Sequence, residues 1–476
     1  MSLADFAPAA AEIYLLGAIC VILIVDLFLR DDQRVVTYLL SMVTLLGAAL
    51  VTARYGVEAR TLAFNGMFVA DRMGDVLKLF SYALVATVFL YSRDYLRRSD
   101  LFRGEYYVLG LFGLLGIMVM ISAHSMLTLY LGLELLALSQ YALVAFDRNS
   151  PIAAEAAMKY FVLGAIASGT LLYGMSILYG FAGTLDFGEL AAALTGTAGT
   201  EPPLLFALAF VIVGIAFKFG AVPFHMWLPD VYHGARTSVT LYVGTAPEIA
   251  AFALVIRFLV EGLGGLEEAW QDMLVVLAVL SMAVGNIVAI AQTNLKRMLA
   301  YSAISHVGFL LLGFVAATPT GFEAAMYYTI AYTIMASGAF GMIILLSRRG
   351  FESDRLEDFR GLNARSPWFA AMMLILMFSM AGVPPFLGFY AKVAVFSAVI
   401  GAGYAWLAAL GIAFSVVGAF YYLRIVKLMY FDEPVDTTPL EAALDMRATL
   451  SVNALAVLAL GIFPSGLLAL CARVIG

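Results

Sequence analysis

An all-α polytopic membrane protein of about 14 transmembrane helices is predicted, and three observations carry that prediction. Of the 476 residues, 63% are hydrophobic and only 13% charged. The mean hydropathy of +0.95 leaves more apolar surface than soluble domains can bury. The apolar residues fall in runs of roughly 20, the helical length that crosses a hydrocarbon core about 30 Å thick. Runs this long fit helices and not barrel strands.

The runs begin near Ala11, Val35, Met73, Tyr106, Ser125, Ile152, Pro203, Val239, Trp270, Met298, Gly321, Trp368, Tyr404 and Thr449. Most of the 27 Lys and Arg residues fall in the loops after odd-numbered spans, whereas Arg54, Arg60, Arg72 and Arg473 lie on the opposite side. The positive-inside rule therefore places both termini outside. Met1 to Glu12 contains no Lys or Arg, so no cleaved secretory signal is expected. The longest polar connections, such as Ser347 to Pro367, are too short to bury a core, so function must reside in the spans.

A net charge of −6 offers no basic field for nucleic acid. Cys20 and Cys471, in the first and last runs, are expected to be buried packing residues. His124, His225, His233 and His306 are too scattered to support haem, iron–sulfur or zinc ligation. Any redox chemistry is assigned to a partner.

A-V-P-F at Ala221 to Phe224 has an echo in G-V-P-P-F at Gly382 to Phe386. Proline removes an amide donor and blocks the bond to the carbonyl four residues back. The seventh and twelfth spans are therefore expected to be interrupted near mid-membrane. Trp368 to Gly401 supports this, because as one straight helix it would measure about 51 Å, too long for a single crossing. Spans seven and twelve are five apart. This suggests two copies of a five-helix unit, spans 4–8 and 9–13, inverted because five is odd. The expected divisions are residues 1–104 (three N-terminal spans), 105–262 (first repeat), 263–431 (second repeat) and 432–476 (last span). Inverted repeats with broken helices typify ion-moving membrane proteins, whose unwound backbone lines a polar cavity at the midplane.

Ionisable side chains deep in these spans are costly and therefore functional candidates. Glu134 sits in L-Y-L-G-L-E-L-L-A-L-S-Q-Y, Lys218 in F-K-F-G-A-V-P-F-H, and Lys392 beyond the second break in G-F-Y-A-K-V-A-V-F. Glu248 follows Pro247 in the eighth span, His225 follows Pro223, and His306 lies in the tenth span. Lys159 is about two turns into the sixth span, within reach of the headgroups. Acids and bases spread across several helices, with waters between, suit proton transfer. Asp75 with Lys78, and Arg257, lie near span ends and are expected to be interfacial anchors; Glu12, Asp26 and Glu155 also lie near ends.

These motifs resemble the antiporter-like membrane subunits of respiratory complex I, which are related to subunits of multi-subunit Na⁺/H⁺ antiporters. The resemblance covers nearly the whole chain. It rests on L-x-L-E-L with S-Q-Y, F-K-x-x-x-V-P-F-H-x-W-x-P-D-V-Y-x-G-A, N-L-K-R-M-L-A-Y-S-x-I-S-H-x-G and P-P-F-x-G-F-x-x-K. It implies a proton-translocating subunit of an NADH:quinone oxidoreductase in a bacterial inner membrane, assembled with other complex I membrane subunits and lipids. By the same resemblance, Glu134 and Lys218 form a coupling pair, Lys159, His225 and His306 belong to a relay, and Lys392 is the terminal site. No cofactor is implied in this chain, while the whole complex uses NADH, FMN, iron–sulfur clusters and quinone. One position departs: the family usually carries lysine in the eighth span, where this chain has Glu248. An Mrp-type antiporter subunit and a non-catalytic scaffold are the rival readings.

Overall fold

In the computed structural model, which describes residues 3–57, 59–195, 201–435, 438, 440 and 442–475, the chain opens with α1 (Ala10–Leu27) and α2 (Val35–Tyr55). A short antiparallel hairpin follows, β1 (Thr61–Ala63) and β2 (Phe68–Ala70). Its turn is made by Phe64, Asn65 and Gly66, all at positive φ. The sequence reading held no strand; this N-G turn is the signal for one. Next come α3 (Arg72–Arg98), α4 (Gly104–Ile121), α5 (Met126–Val144), α6 (Pro151–Ala182), the short α7 (Phe187–Leu194) and α8 (Pro202–Phe219).

After α8 the chain turns and resumes as α9 (Trp227–Gly234). The eighth span is α10 (Thr237–Val243) and α11 (Ala246–Leu254), followed by a π-helical stretch over Val255–Gly262. The remainder is α12 (Glu267–Ile290), α13 (Leu295–Val315), α14 (Pro319–Leu346), α15 (Leu362–Arg365), α16 (Pro367–Ala381), α17 (Leu387–Gly401), α18 (Ala405–Phe431), α19 (Leu444–Ile462) and α20 (Ser465–Ile475). Among the described residues, 13 helical segments are long and apolar enough to cross a membrane. The fourteenth crossing is α16 with α17, each about 22 Å long and too short alone. Both interruptions expected from the sequence are present.

The two halves share a packing device. A Cβ at Gly116 of α4 would stand 2.6 Å from the Leu136 nitrogen, and one at Gly132 of α5 would stand 2.8 Å from the Met120 nitrogen. In the second half, Gly285 of α12 would meet the Ser305 nitrogen at 2.6 Å, and Gly308 of α13 the Met282 nitrogen at 2.8 Å. Reciprocal glycines let each helix pair approach backbone to backbone. Glu134 lies two residues after one of these glycines and His306 two before another.

The eighth, tenth and eleventh spans form the centre, each 94% buried, whereas the first, sixth and thirteenth are 28–33% buried and face outward. Cys471 is buried as expected, but Cys20 is exposed, because α1 lies on the periphery and its outer face carries Leu16, Val21 and Ile24 as well.

Candidate functional site

Glycine, rather than proline, ends the leading half-helix at both breaks. Gly220 takes φ 68° and Gly382 φ 87°, in the left-handed region that side chains with a Cβ disfavour. The Ala221 amide donates to the Ala216 carbonyl (2.8 Å) and the Gly220 amide to Phe217 (3.0 Å). At the second break the Val383 amide donates to Phe378 (2.9 Å) and the Gly382 amide to Ser379 (3.0 Å). Both are Schellman closures, which satisfy carbonyls a helix end otherwise leaves open. Pro223, Pro384 and Pro385 lie beyond, in the turns, where their missing amides cost no helical bond. A serine hydroxyl braces each turn: Val222 N–H donates to Ser281 Oγ and Gly388 N–H to Ser379 Oγ, both at 2.9 Å.

Lys218 stands in the last turn of α8. Its Nζ donates to Gln140 Oε1 (3.3 Å), which also accepts from the Tyr160 hydroxyl (3.0 Å). The Tyr160 ring stacks on Trp227 at 4.4 Å, and Trp227 Nε1 donates to the Phe217 carbonyl at 3.0 Å. A crevice of about 30 Å³, lined by Glu134, Tyr141, Tyr160, Ser168 and Lys218 among others, separates the acid from the base. That is room for a water or two. Glu134 accepts a hydrogen bond from Ser168 Oγ, and no ion pair joins it to Lys218 among the described residues.

Glu248 occupies the first turn of α11, behind Pro247, and is buried. The eighth span is therefore broken too, at Gly244 and Thr245, which the sequence reading did not foresee. Proline fits the first turn of a helix and a carboxylate is favoured at its positive end. This gives a local reason for glutamate at 248. Both Glu134 and Glu248 lie within electrostatic reach of Lys218. His225 sits in the turn after Pro223 with Nδ1 buried and unpartnered, its ring 6.5 Å from Tyr301.

His306 is buried with both ring nitrogens engaged, Nδ1 with the Tyr328 hydroxyl (2.6 Å) and Nε2 with Tyr422 (3.0 Å). Tyr422 is also hydrogen-bonded to Ser302. Lys392 projects from α17 back across the second break. Its Nζ donates to the Met380 carbonyl (3.3 Å), the Ala381 carbonyl (3.0 Å) and Ser415 Oγ (2.8 Å), with Phe309 at 4.9 Å. The two lysines, on opposite sides of their breaks in sequence, are held differently: Lys392 caps the last carbonyls of α16, the negative end of that half-helix, whereas Lys218, in the last turn of α8, turns to the Gln140 side chain.

Other charges lie apart from this axis. Lys159 is 45% exposed and pairs with Glu155 (2.9 Å) and Asp230 (2.8 Å), the latter shared with Arg297 (2.8 Å). Lys78 is not an interfacial anchor: it forms a buried ion pair with Glu12 at 2.6 Å. Nor is Arg257, which is 1% exposed and held by Asp71 (2.8 Å), Glu261 (2.7 Å) and the Ile121 carbonyl (3.0 Å). A cation so near a span end is drawn inward because the acid that caps α3, Asp71, and Glu261 of the π-helical stretch face it.

A family model described as NADH:quinone oxidoreductase/Mrp antiporter, TM, matches residues 123–418. The NADH-quinone oxidoreductase subunit N of Thioalkalivibrio sulfidiphilus is 62% identical, over 98% of this chain and 97% of the relative. That of Thiobacillus denitrificans is 60% identical over 100% and 99%. The chain belongs to the subunit N family.

Among solved structures, a chain of respiratory complex I from Thermus thermophilus with bound aureothin is similar at 30% identity and a TM-score of 0.83, covering 97% of this chain and 99% of that one. A chain of the Mrp complex from Dietzia sp. DQ12-45-1b, at 22% identity and a TM-score of 0.86 over 100% and 97%, shares the fold. Within the subunit N family framework, Gln140 and the phenols Tyr160, Tyr328 and Tyr422 are the groups that sequence reasoning passed over. S-Q-Y was noted as a motif, and buried Gln and Tyr inside apolar runs were its available signal.

Proposed function

We propose that this chain moves protons across a bacterial inner membrane as a subunit of NADH:quinone oxidoreductase, driven by quinone reduction elsewhere in the complex. The observation that carries this reading is the pair of broken helices, each with a lysine beside it, Lys218 in the last turn of α8 and Lys392 on the last carbonyls of α16, with Glu248 and His306 buried in the central spans. Glu134 and Lys218 act as the coupling pair through the water-sized crevice between them. Glu248, His225 and His306 continue the relay, and Lys392 is the terminal site. Lys159, with Asp230 and Arg297, stands at the cytoplasmic mouth.

Both termini lie on the periplasmic side. Residues 105–262 and 263–431 are the two inverted units, flanked by the three first spans and the last one. No cofactor is held by this chain. NADH, FMN, iron–sulfur clusters and quinone work in other subunits.

The test is Lys218→Ala in an assembled complex reconstituted in liposomes. Proton uptake per NADH oxidised should fall at least tenfold, while NADH:quinone turnover persists in uncoupled vesicles. Wild-type pumping would reject the relay. An Mrp-type antiporter subunit would instead purify without NADH- and quinone-reactive partners.

A further inference from the structure

Gln140 is 1% exposed, yet its side chain is satisfied at one end only. Oε1 accepts from both Lys218 Nζ (3.3 Å) and the Tyr160 hydroxyl (3.0 Å), while Nε2 is buried with no partner. A carboxamide has an acceptor and a donor end of nearly the same shape. A protonated lysine is a donor only, so the acceptor end must face it. When Lys218 gives up its proton, its nitrogen keeps two N–H donors and gains a lone pair, so it can also accept. The turned-over amide, presenting Nε2–H to Lys218 and to the Tyr160 oxygen, is then admitted as well. Tyr160, no longer donating to Oε1, is free to donate elsewhere.

We propose that Gln140 is a positioning residue that reads the charge of Lys218, its carboxamide turning over as that lysine loses and regains a proton. A residue that merely packed would have both ends paired, since an unsatisfied buried amide is costly. The turn also transmits: the Tyr160 ring is stacked on Trp227, which closes the Phe217 carbonyl one residue before Lys218. The inference rests on the relay reading above and adds the device that times its first step. The titratable groups facing Lys218 are Glu134 and Tyr141 of α5, Tyr160 of α6 and Glu248 of α11. From α12, Ser281 faces the same break.

The experiment measures proton pumping against pH in liposomes holding the whole complex, at matched NADH oxidation. Gln140→Glu offers acceptors in either orientation, favouring charged Lys218. Its pumping profile should move alkaline by about one pH unit, a tenfold change in proton affinity, with a lower maximum. Gln140→Leu removes the acceptor and should move the profile acid by a similar amount; Gln140→Met serves if the leucine variant does not assemble. Profiles that superimpose on wild type overturn the proposal. Loss of assembly in all three variants also overturns it, making Gln140 a packing residue. Lys218→Ala in the same vesicles separates the failures. If it pumps normally, the relay reading falls; if it does not pump while the Gln140 variants keep the wild-type profile, only the role of Gln140 falls.

Discussion

Replacing Gly382 with alanine tests whether the second break positions Lys392. Two costs are superimposed at this residue. At φ 87° a Cβ costs about 1–2 kcal/mol of backbone strain. The new Cβ would also lie 2.9 Å from Lys392 Cδ and 3.1 Å from its Nζ, so the lysine must shift. Its ammonium is held by three acceptors at 2.8–3.3 Å. Hydrogen bonds of a charged donor contribute roughly 1.5–3 kcal/mol each, and weakening them adds a further ~1 kcal/mol. Gly183, at φ 70° with nothing within 4 Å of its would-be Cβ, isolates the backbone cost. Gly183→Ala should therefore lower stability by about 1–2 kcal/mol and leave pumping intact. Gly382→Ala should cost about 2–3 kcal/mol and reduce protons pumped per NADH severalfold. Thermal dissociation of the purified complex gives the stabilities, and dye-reported acidification gives the pumping. Equal pumping in the two variants would refute the positioning argument.

Glu352, in the loop before α15, gathers the Tyr95 hydroxyl (2.8 Å), the Thr237 amide (3.1 Å), the Thr237 hydroxyl and Arg236 (3.1 Å), with Lys296 at 3.7 Å. Burial alone would raise its pKa, but Lys296, Thr237, Tyr95 and Arg236 hold it down to about 2. A depressed carboxylate stabilises above its unfolded value of 4.5 and loses that contribution as pH falls towards about 2. Glu352→Gln should destabilise by roughly 3 kcal/mol at pH 7, with the gap from wild type narrowing by about 1 kcal/mol at pH 4; dissociation midpoints at the two pH values check this. Arg257→Met takes the cation from Asp71, while Glu261 keeps Arg60 at 2.6 Å; it should cost roughly 3–5 kcal/mol, lowering the yield of assembled complex. The exposed Lys159→Met should leave the dissociation midpoint close to wild type, and a larger loss for Lys159 than for Arg257 would contradict the burial argument.

Spans and breaks were legible because both follow from local rules: apolar length, and residues that end helices. Even so, the wrong residue was credited. Proline announces a break loudly, but the helix stops two or three residues earlier, at Gly220 and Gly382, where K-F-G-A and M-A-G-V close it. The Thr245 break was hidden because Gly-Thr-Ala-Pro reads as a continuing apolar run. Candidate side chains were visible as charges in the wrong solvent, but their partners were not. Gln140 lies 78 residues from Lys218, Tyr422 lies 116 from His306, and Asp71 lies 186 from Arg257. No spacing rule links positions so far apart. Depth was misread for Lys78 and Arg257 because distance from a span end says nothing of which neighbours wrap that end.

The placement of the two lysines also makes the halves mechanically unequal. Lys218 rides on the half-helix it terminates, so sliding α9 against α8 leaves its carrier unchanged. Lys392 is a strut: rooted in α17, tethered to α16, it spans the gap it fills. Any displacement that opens that gap strips the ammonium of two carbonyls at once. The first half is tuned by the side chains around its cation, the second by the separation of its two rods.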